Sequence, residues 1–280
     1  MSRYSFSGHE SFFCKTIWLK KGYDAVVGGV NFSAPEAVAL MGVGKNMVSS
    51  IRFWLKAFGL TANDQATYFA NTIFDDSTGF DPFIEDEGTL WLLHYYLVKS
   101  SIASIYRLSF MEFQREKKEF TRDQLHAFIK RKCNDKEQKN VYNENTVKKD
   151  ISVFLHNYVA PNDLRSAEDY SALFIDLGLI RGIENEKFAF TDIGADKISP
   201  DILLYAILDY KGDDNTVSVD MMQELALIFG LSLTSFIDIV HKIVDNYPES
   251  VSYSDNSGIK NIQFLSKMDK EMVLLNYYSK

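Results

Sequence analysis

Cysteine is nearly missing from this sequence: its 280 residues hold two, Cys14 and Cys133, far apart and outside any CxxC or CxxH spacing. That excludes a disulfide framework and a structural zinc site, and it points to small reduced thiols, buried in a cytosolic protein. Five prolines and fifteen glycines are too few for a fibrous or low-complexity segment. No apolar run reaches the length of a membrane span. Thr89–Val98 (TLWLLHYYLV), an apolar run without formal charge, is about half of one. The opening MSRYSFSGHE lacks the apolar centre of a signal peptide, so neither export nor a membrane partner is expected.

An excess of positive charge is missing too, since the net charge is −8. Its distribution is uneven. Residues 1–60 carry seven Lys/Arg against three Asp/Glu, and residues 115–150 carry eleven against seven, whereas residues 201–258 carry ten acids and two lysines. Such asymmetry suggests a polyanion-binding front with an acidic back. Hydrophobic residues make up 46% of the chain and aromatics 14%, enough for a well-packed globular core.

A unit of short helix, tight turn, amphipathic helix and β-prone stretch recurs. In the first copy Ser33 is the expected N-cap and Pro35 the first turn of a helix that ends near Met41, before the turn Gly42-Val43-Gly44. From Lys45 to Phe58, the apolar Met47, Val48, Ile51, Trp54, Leu55 and Phe58 fall at helical spacing, with Gly59 as the closing residue. Lys45, Ser49, Arg52 and Lys56 line the opposite face, and Asn46 joins them at the helix start. A helix–turn–helix with a basic second helix is what readers of the DNA major groove present. A phosphate-cradling P-loop is excluded at MGVGKN, which is entered from a helix and has Asn46 where Ser or Thr is required.

The second copy opens with Thr121 and Gln124 at capping-box spacing. It continues in NENTVKKDISVFLHNY, whose core face is Val147, Ile151, Phe154, Leu155 and Tyr158. The outer face carries Asn145, Lys148, Lys149, Ser152 and His156. A helix over about 166–177 and two short strands at Ile180 and Phe188–Phe190 complete it. The third copy, residues 201–265, has three helices and a hairpin with its tip at 255–258. Acids stand on the outer face of its last helix, with Thr234, Asp238, His241 and Asp245, which favours a protein-docking role over a phosphate backbone.

Two constellations could carry chemistry. One is the turn Ser7-Gly8-His9-Glu10. The other is the acidic cluster Asp75, Asp76, Asp81, Glu85 and Asp86, with His94 one helix away. Cleaving DNA takes carboxylates that hold a divalent metal and a base that positions water. On that logic His9, Glu10, Asp81 and Glu85 are the catalytic candidates, and Asp81, Glu85 and Asp86 the ligands of Mg²⁺ or Mn²⁺. The same acids equally suit helix N-termini. Asp81-Pro82 reads as a helix start. Lys20 and Lys21, placed at the end of a helix over Phe12–Leu19, suit either that helix terminus or a phosphate.

Three blocks in order, FSGHESFFCKTIWLKKGYDAV, ALMGVGKNMVSSIRFWLKAFGL and GFDPFIEDEGTLWLLHYYLV, resemble the signature blocks of the domain of unknown function 4007 family. Weaker matches in NENTVKKDISVFLHNY and LGLI carry the resemblance to about residue 200. The family occurs in bacterial anti-phage clusters beside ATPases and sulfurtransferases, and a described member nicks DNA in single-strand phosphorothioation. The resemblance implies binding of double-stranded DNA, nicking of one strand, and hand-over to those partner proteins. It carries over no catalytic residue. After DPFIED this chain has Glu87-Gly88 where the family commonly has Pro-Ala, a change that bears on helix capping more than on chemistry.

The expectation is thus a mainly α fold with small β-hairpins: tandem winged helix-turn-helix modules with a helical insert after the first. Its segments are 1–115, 116–199 and 200–280. Three roles share DNA binding: a metal-dependent nickase, a non-enzymatic recognition and partner-docking subunit, and a winged-helix transcription regulator. Association into a homo-oligomer stays open.

Overall fold

The computed structural model describes residues 3–134, 138, 141–160, 172–256 and 259–280. The chain is mainly helical with small antiparallel sheets and forms two compact units, residues 1–191 and 192–280. Among the described residues no helix is long and apolar enough to cross a membrane.

The first unit begins with an extended arm and α1 (Thr16–Val27), α2 (Glu36–Met41) and α3 (Lys45–Ala57). A two-residue turn then joins β1 (Thr61–Ala62) to β2 (Gln65–Ala66). Asn63 and Asp64 at its tip both have positive φ, as a tight hairpin turn of this type requires. The chain continues through α4 (Tyr68–Phe74), α5 (Glu87–Ser100) and α6 (Ser104–Arg107), then a π-helical turn (Leu108–Phe113) into α7 (Gln114–Glu116). Next come β3 (Glu119–Thr121), α8 (Arg122–Cys133) and α9 (Glu144–Tyr158). Last are β4 (Ile180–Ile183) and β5 (Lys187–Phe190), which form an antiparallel sheet in the order β3-β5-β4.

Local chemistry explains most of these boundaries. Thr121 and Gln124 close a reciprocal capping box on α8, each accepting the other's backbone N–H, at 3.3 and 3.0 Å. Asn143 caps α9, and Gly59 leaves α3 with φ of 66°. Several expectations shift. Ser33 is not the cap of α2, which starts at Glu36 behind Pro35; its hydroxyl accepts from Arg52 instead. α1 starts at Thr16 and runs on to Val27, so Lys20 and Lys21 lie mid-helix. Asp81-Pro82 starts a turn and not a helix, since α5 begins at Glu87 with Asp86 as its cap. The helix expected over 166–177 falls largely outside the described residues; only a 3₁₀ turn, Ile175–Leu177, is seen there.

Segments 1–115 and 116–199 share one core in this unit up to residue 191. Trp54 of α3 and Phe58 at its C-cap stack at 5.7 Å, Trp54 meets Tyr106 edge-on at 6.1 Å, and Phe58 meets Phe174 at 5.8 Å. Phe154 and Tyr158 of α9 close the cluster against Tyr106, Phe110 and Phe174. His94 of α5 lies wholly inside it, with Nδ1 2.8 Å from the Tyr158 hydroxyl. On the other side of α3, a Cβ on Gly22 would stand 2.7 Å from Ile51 and 2.9 Å from Leu55, so only glycine lets α1 approach this closely. Both cysteines are buried, and burial pushes each thiol up, keeping it protonated and a poor nucleophile.

The second unit has α10 (Pro200–Lys211), β6 (Thr216–Ser218), α11 (Val219–Ile228), α12 (Leu233–Asn246), β7 (Val251–Asn256), β8 (Ile259–Phe264) and α13 (Lys270–Tyr278). Its sheet runs β6-β8-β7, all antiparallel. The hairpin falls where expected, although part of its tip, 257–258, lies outside the described residues. β6 and α13 had no expectation attached. Buried Asp201 accepts from the Tyr247 hydroxyl at 3.0 Å and pairs with Lys280.

All three tryptophans, Trp18, Trp54 and Trp91, belong to the first unit, so indole fluorescence reports its unfolding separately. Phe154→Ala is expected to cost that unit about 3–5 kcal/mol, the usual range for emptying an aromatic core site, read from the urea midpoint of the fluorescence transition.

Candidate nucleic-acid interface

Two polar residues of α9 hold the N-terminal arm. Asp150 and Asn157 are buried and seven positions apart, so they share one face of the helix. Asp150 accepts the Ser7 N–H with both carboxylate oxygens, at 3.1 and 3.0 Å, and its Oδ1 lies 3.1 Å from His9 Nε2. The Asn157 side chain accepts the Cys14 N–H at 3.1 Å and donates to the Tyr106 hydroxyl at 2.5 Å. From the opposite side α3 takes hold: Ser50 Oγ donates to the His9 carbonyl at 3.0 Å and Trp54 Nε1 to the Phe12 carbonyl at 3.3 Å. The His9 ring stacks on Trp54 and meets Phe53 edge-on, each at 5.8 Å between centroids.

These bonds assign the histidine's tautomer. Ser11 N–H donates to His9 Nδ1 at 3.1 Å, so Nδ1 is an acceptor and Nε2 carries the proton given to Asp150. Both ring nitrogens are thereby engaged. The backbone around the ring is strained, with Ser7, Glu10 and Ser11 all at left-handed φ (75°, 49° and 66°). Each costs on the order of 1–3 kcal/mol, which the surrounding bonds must overcome. Gly8, at φ of 100°, is required twice over, because a Cβ there would stand 2.5 Å from Phe53 Cδ2. Glu10 projects to solvent from this turn.

The acidic cluster does not converge. Asp75 accepts from the Ser77 and Thr78 backbone and the Thr78 hydroxyl, bonds that hold its carboxyl below the usual range. Asp76 pairs with Lys20 at 2.6 Å, and Lys20 also reaches Asp24 at 2.5 Å. Asp81 is buried and accepts the Glu85 and Asp86 N–H groups at 2.8 and 3.0 Å. Asp86 in turn accepts from Gly88 and Thr89 at the start of α5. Glu85 is exposed. Among the described residues no group of three His, Cys, Asp or Glu could hold a metal ion. The expected trio Asp81, Glu85 and Asp86 therefore does not make a metal cage here, and His94 is enclosed in the aromatic core.

The basic face of α3 does assemble, inside a groove. Lys45, Ser49, Arg52 and Lys56 line one side of an open concavity of about 710 Å³; Phe32, Ser33, Ala34, Pro35 and Val38 line the other, with Val48 and Phe53 between them. Arg52 donates to Asp64 with Nε and Nη2, at 3.1 and 2.7 Å, and to Ser33 Oγ with Nη1 at 3.1 Å. Lys56 reaches the same carboxylate at 3.3 Å. The Arg52 hydrogen bonds hold Asp64 below the ordinary aspartate range, so it stays charged at neutral pH. Lys45 and Asn46 are exposed, and among the described residues Lys45 has no ion-pair partner. Lys21 donates to the Met41 carbonyl at 3.1 Å. On α9, Lys148 pairs with Glu144 at 2.6 Å, Lys149 is exposed, Ser152 is half-buried, and His156 stacks on Phe13 at 5.3 Å. None of the α9 candidates lines the groove.

Asp150, Asn157 and Asp64 escaped the sequence reading. A carboxylate at position 150, four residues before core Phe154 and within the stripe Val147–Ile151–Tyr158, was the available signal for the first. For Asp64 it was the Asn-Asp tip of a short hairpin directly after a basic helix.

The sequence matches the family described as "Protein of unknown function (DUF4007)" over residues 6–278. Two solved structures resemble the fold, a crystal structure of SspB and a magnesium ion-bound crystal structure of SspB. Each has a TM-score of 0.85 and 27% identity, covering 98% of this chain and 88% of the other. No curated protein matches the chain.

Asp150→Ala should cost the first unit about 1–3 kcal/mol, because it leaves the buried His9 donor and the Ser7 N–H without their acceptor. Asp150→Asn, which keeps one oxygen, should cost less. The ordering of the two urea midpoints, followed by tryptophan fluorescence, tests the hold of Asp150 on the arm.

Proposed function

This chain belongs to the DUF4007 family, and from that premise we propose that it is a DNA-binding protein of a bacterial phosphorothioation system with an anti-phage role. In such systems sulfur replaces a non-bridging phosphate oxygen. The carrying observation is the groove on α3, where Lys45, Arg52 and Lys56 stand together on one helix face. The first module is then a winged helix made of α1, α2, α3 and the β1–β2 hairpin. A second is made of α8, α9 and the β3-β5-β4 sheet, with Lys148, Lys149 and Ser152 as its phosphate contacts. A third, made of α10 to β8, turns exposed Asp238 and Asp245 outward to dock the system's ATPase and sulfurtransferase proteins.

Asp64 gives this interface its free-state geometry. A bidentate carboxylate on Arg52 occupies the fork that a phosphate would take, and holds Lys56 as well. DNA must displace it, so the free protein keeps its guanidinium ordered at a modest cost in affinity. Recognition without catalysis is the role favoured by carboxylates already committed to backbone N–H groups.

Nicking is the second reading, favoured by the likeness to a magnesium-bound structure of SspB. In it, exposed Glu85 and Glu10 are the candidate carboxylates, while His9 positions the arm.

Two measurements test the proposal. Lys45→Ala and Arg52→Ala should each weaken duplex binding and lower the slope of log K against log salt by about 0.9 per lost phosphate contact. Asp64→Asn should tighten binding by up to about fivefold, the equivalent of the ~1 kcal/mol a surface ion pair is worth. Fluorescence anisotropy across a salt series reads both, and unchanged slopes in both alanine variants would overturn the interface. For nicking, supercoiled plasmid is incubated with Mg²⁺ or Mn²⁺, with EDTA as control and Glu85→Gln alongside. Recognition predicts a bound but intact plasmid, and metal-dependent open circle lost in the variant establishes the nickase.

A further inference from the structure

We infer that the groove on α3 takes an unpaired nucleotide, so that the DNA held there carries a bulge, flap, gap or extruded base at the point of contact. This rests on the DNA-binding proposal above and names the class of DNA.

Shape is the first argument. A helix that reads duplex DNA is the convex partner and enters a major groove about 12 Å wide. Here Lys45, Ser49 and Arg52 are the side of a concavity, with the 32–35 segment and Val38 rising opposite. Its volume of about 710 Å³ lies in the range of sites that enclose a small molecule or one nucleotide.

The lining is the second argument. A phosphate backbone alone needs cations and hydroxyls, which Lys45, Arg52, Lys56, Ser33 and Ser49 provide. It has no use for an apolar floor. This groove has one in Val48 and Phe53, continued by Phe32 and Val38 on the facing side, and both rings are half-exposed. Aromatic faces beside a cationic track are what single-stranded segments use, bases stacking on the rings while phosphates follow the charge.

Preorganisation is the third. Phe53 is fixed from behind by Gly8, whose missing Cβ makes room for it, and edge-on by His9 and Trp54 at 5.8 and 5.3 Å. Arg52 is tethered at both ends of its fork, by Ser33 and Asp64. A nucleotide that enters meets a platform already in position and an ordered guanidinium that its phosphate takes over from Asp64. The SGHE turn thereby gains a purpose beyond anchoring, because its strained backbone sets the ring that floors the groove.

The test compares the full chain's affinity for a blunt duplex and for the same duplex carrying a one-nucleotide bulge, by fluorescence anisotropy at fixed salt. Wild type should prefer the bulge by roughly tenfold, the scale of one stacked base. Phe32→Ala should bring the ratio of affinities towards one, as should Val38→Trp, which fills the groove from an exposed position on α2. Lys45→Ala should weaken both DNAs and keep the ratio. Equal affinity of wild type for the two DNAs, or a preference that survives both groove variants, overturns the inference while the DNA-binding proposal stands. Failure of wild type to bind either DNA overturns both.

Discussion

A single buried carboxylate organises the functional end of the first unit. Asp150 is 3% exposed and would be intolerable there without partners, because an ionised group removed from water must be compensated bond by bond. It is compensated by the Ser7 N–H and the His9 imidazole. Meeting that demand draws the arm across α9, and the return bonds from Ser50 and Trp54 press it onto α3. The arm is therefore a wedge between two helices that are a hundred residues apart in sequence. Its left-handed residues are tolerable only because so many bonds fix them.

The groove inherits its rigidity from this wedge. Gly8 seats Phe53, Phe53 floors the groove, and the neighbouring Arg52 is held between Ser33 and Asp64. Sequence, local strain, packing and electrostatics meet within one helical turn of α3. A substitution in the arm would thus reach the groove without touching it, acting through the ring of Phe53. The histidine and glutamate of the arm have different positions in this scheme. His9 is enclosed and holds the wedge with both ring nitrogens, whereas Glu10 faces solvent.

Several charges of the first unit are paired close by. Lys20 lies between Asp24 and Asp76, Lys148 against Glu144, and Arg52 with Lys56 against Asp64. Asp81 and Asp86, two of the acids that looked like metal ligands, are held in the same way by backbone N–H groups. A carboxylate within two to five residues of a helix start or a turn finds an N–H before it finds a second carboxylate. This is why an acidic cluster in a sequence so often resolves into caps.

The sequence by itself determined what depends on near neighbours: the amphipathic stripe of α3 and its basic face, the capping box at Thr121, the glycine closing α3, and the hairpins at 180–190 and 251–264. These follow from helical and strand periodicity and from bonds spanning three or four residues. Only the tertiary structure decided what depends on long-range pairing. It fused residues 3–191 around Trp54, His94, Phe154 and Tyr158, and it buried Asp150 opposite His9. It also spent Asp81 and Asp86 on backbone and turned the basic face into one wall of a groove. Periodicity tells which side of a helix is wet or dry. Which distant residue stands opposite a polar group on the dry side, and so whether that group is a reagent or a strut, is settled by packing alone.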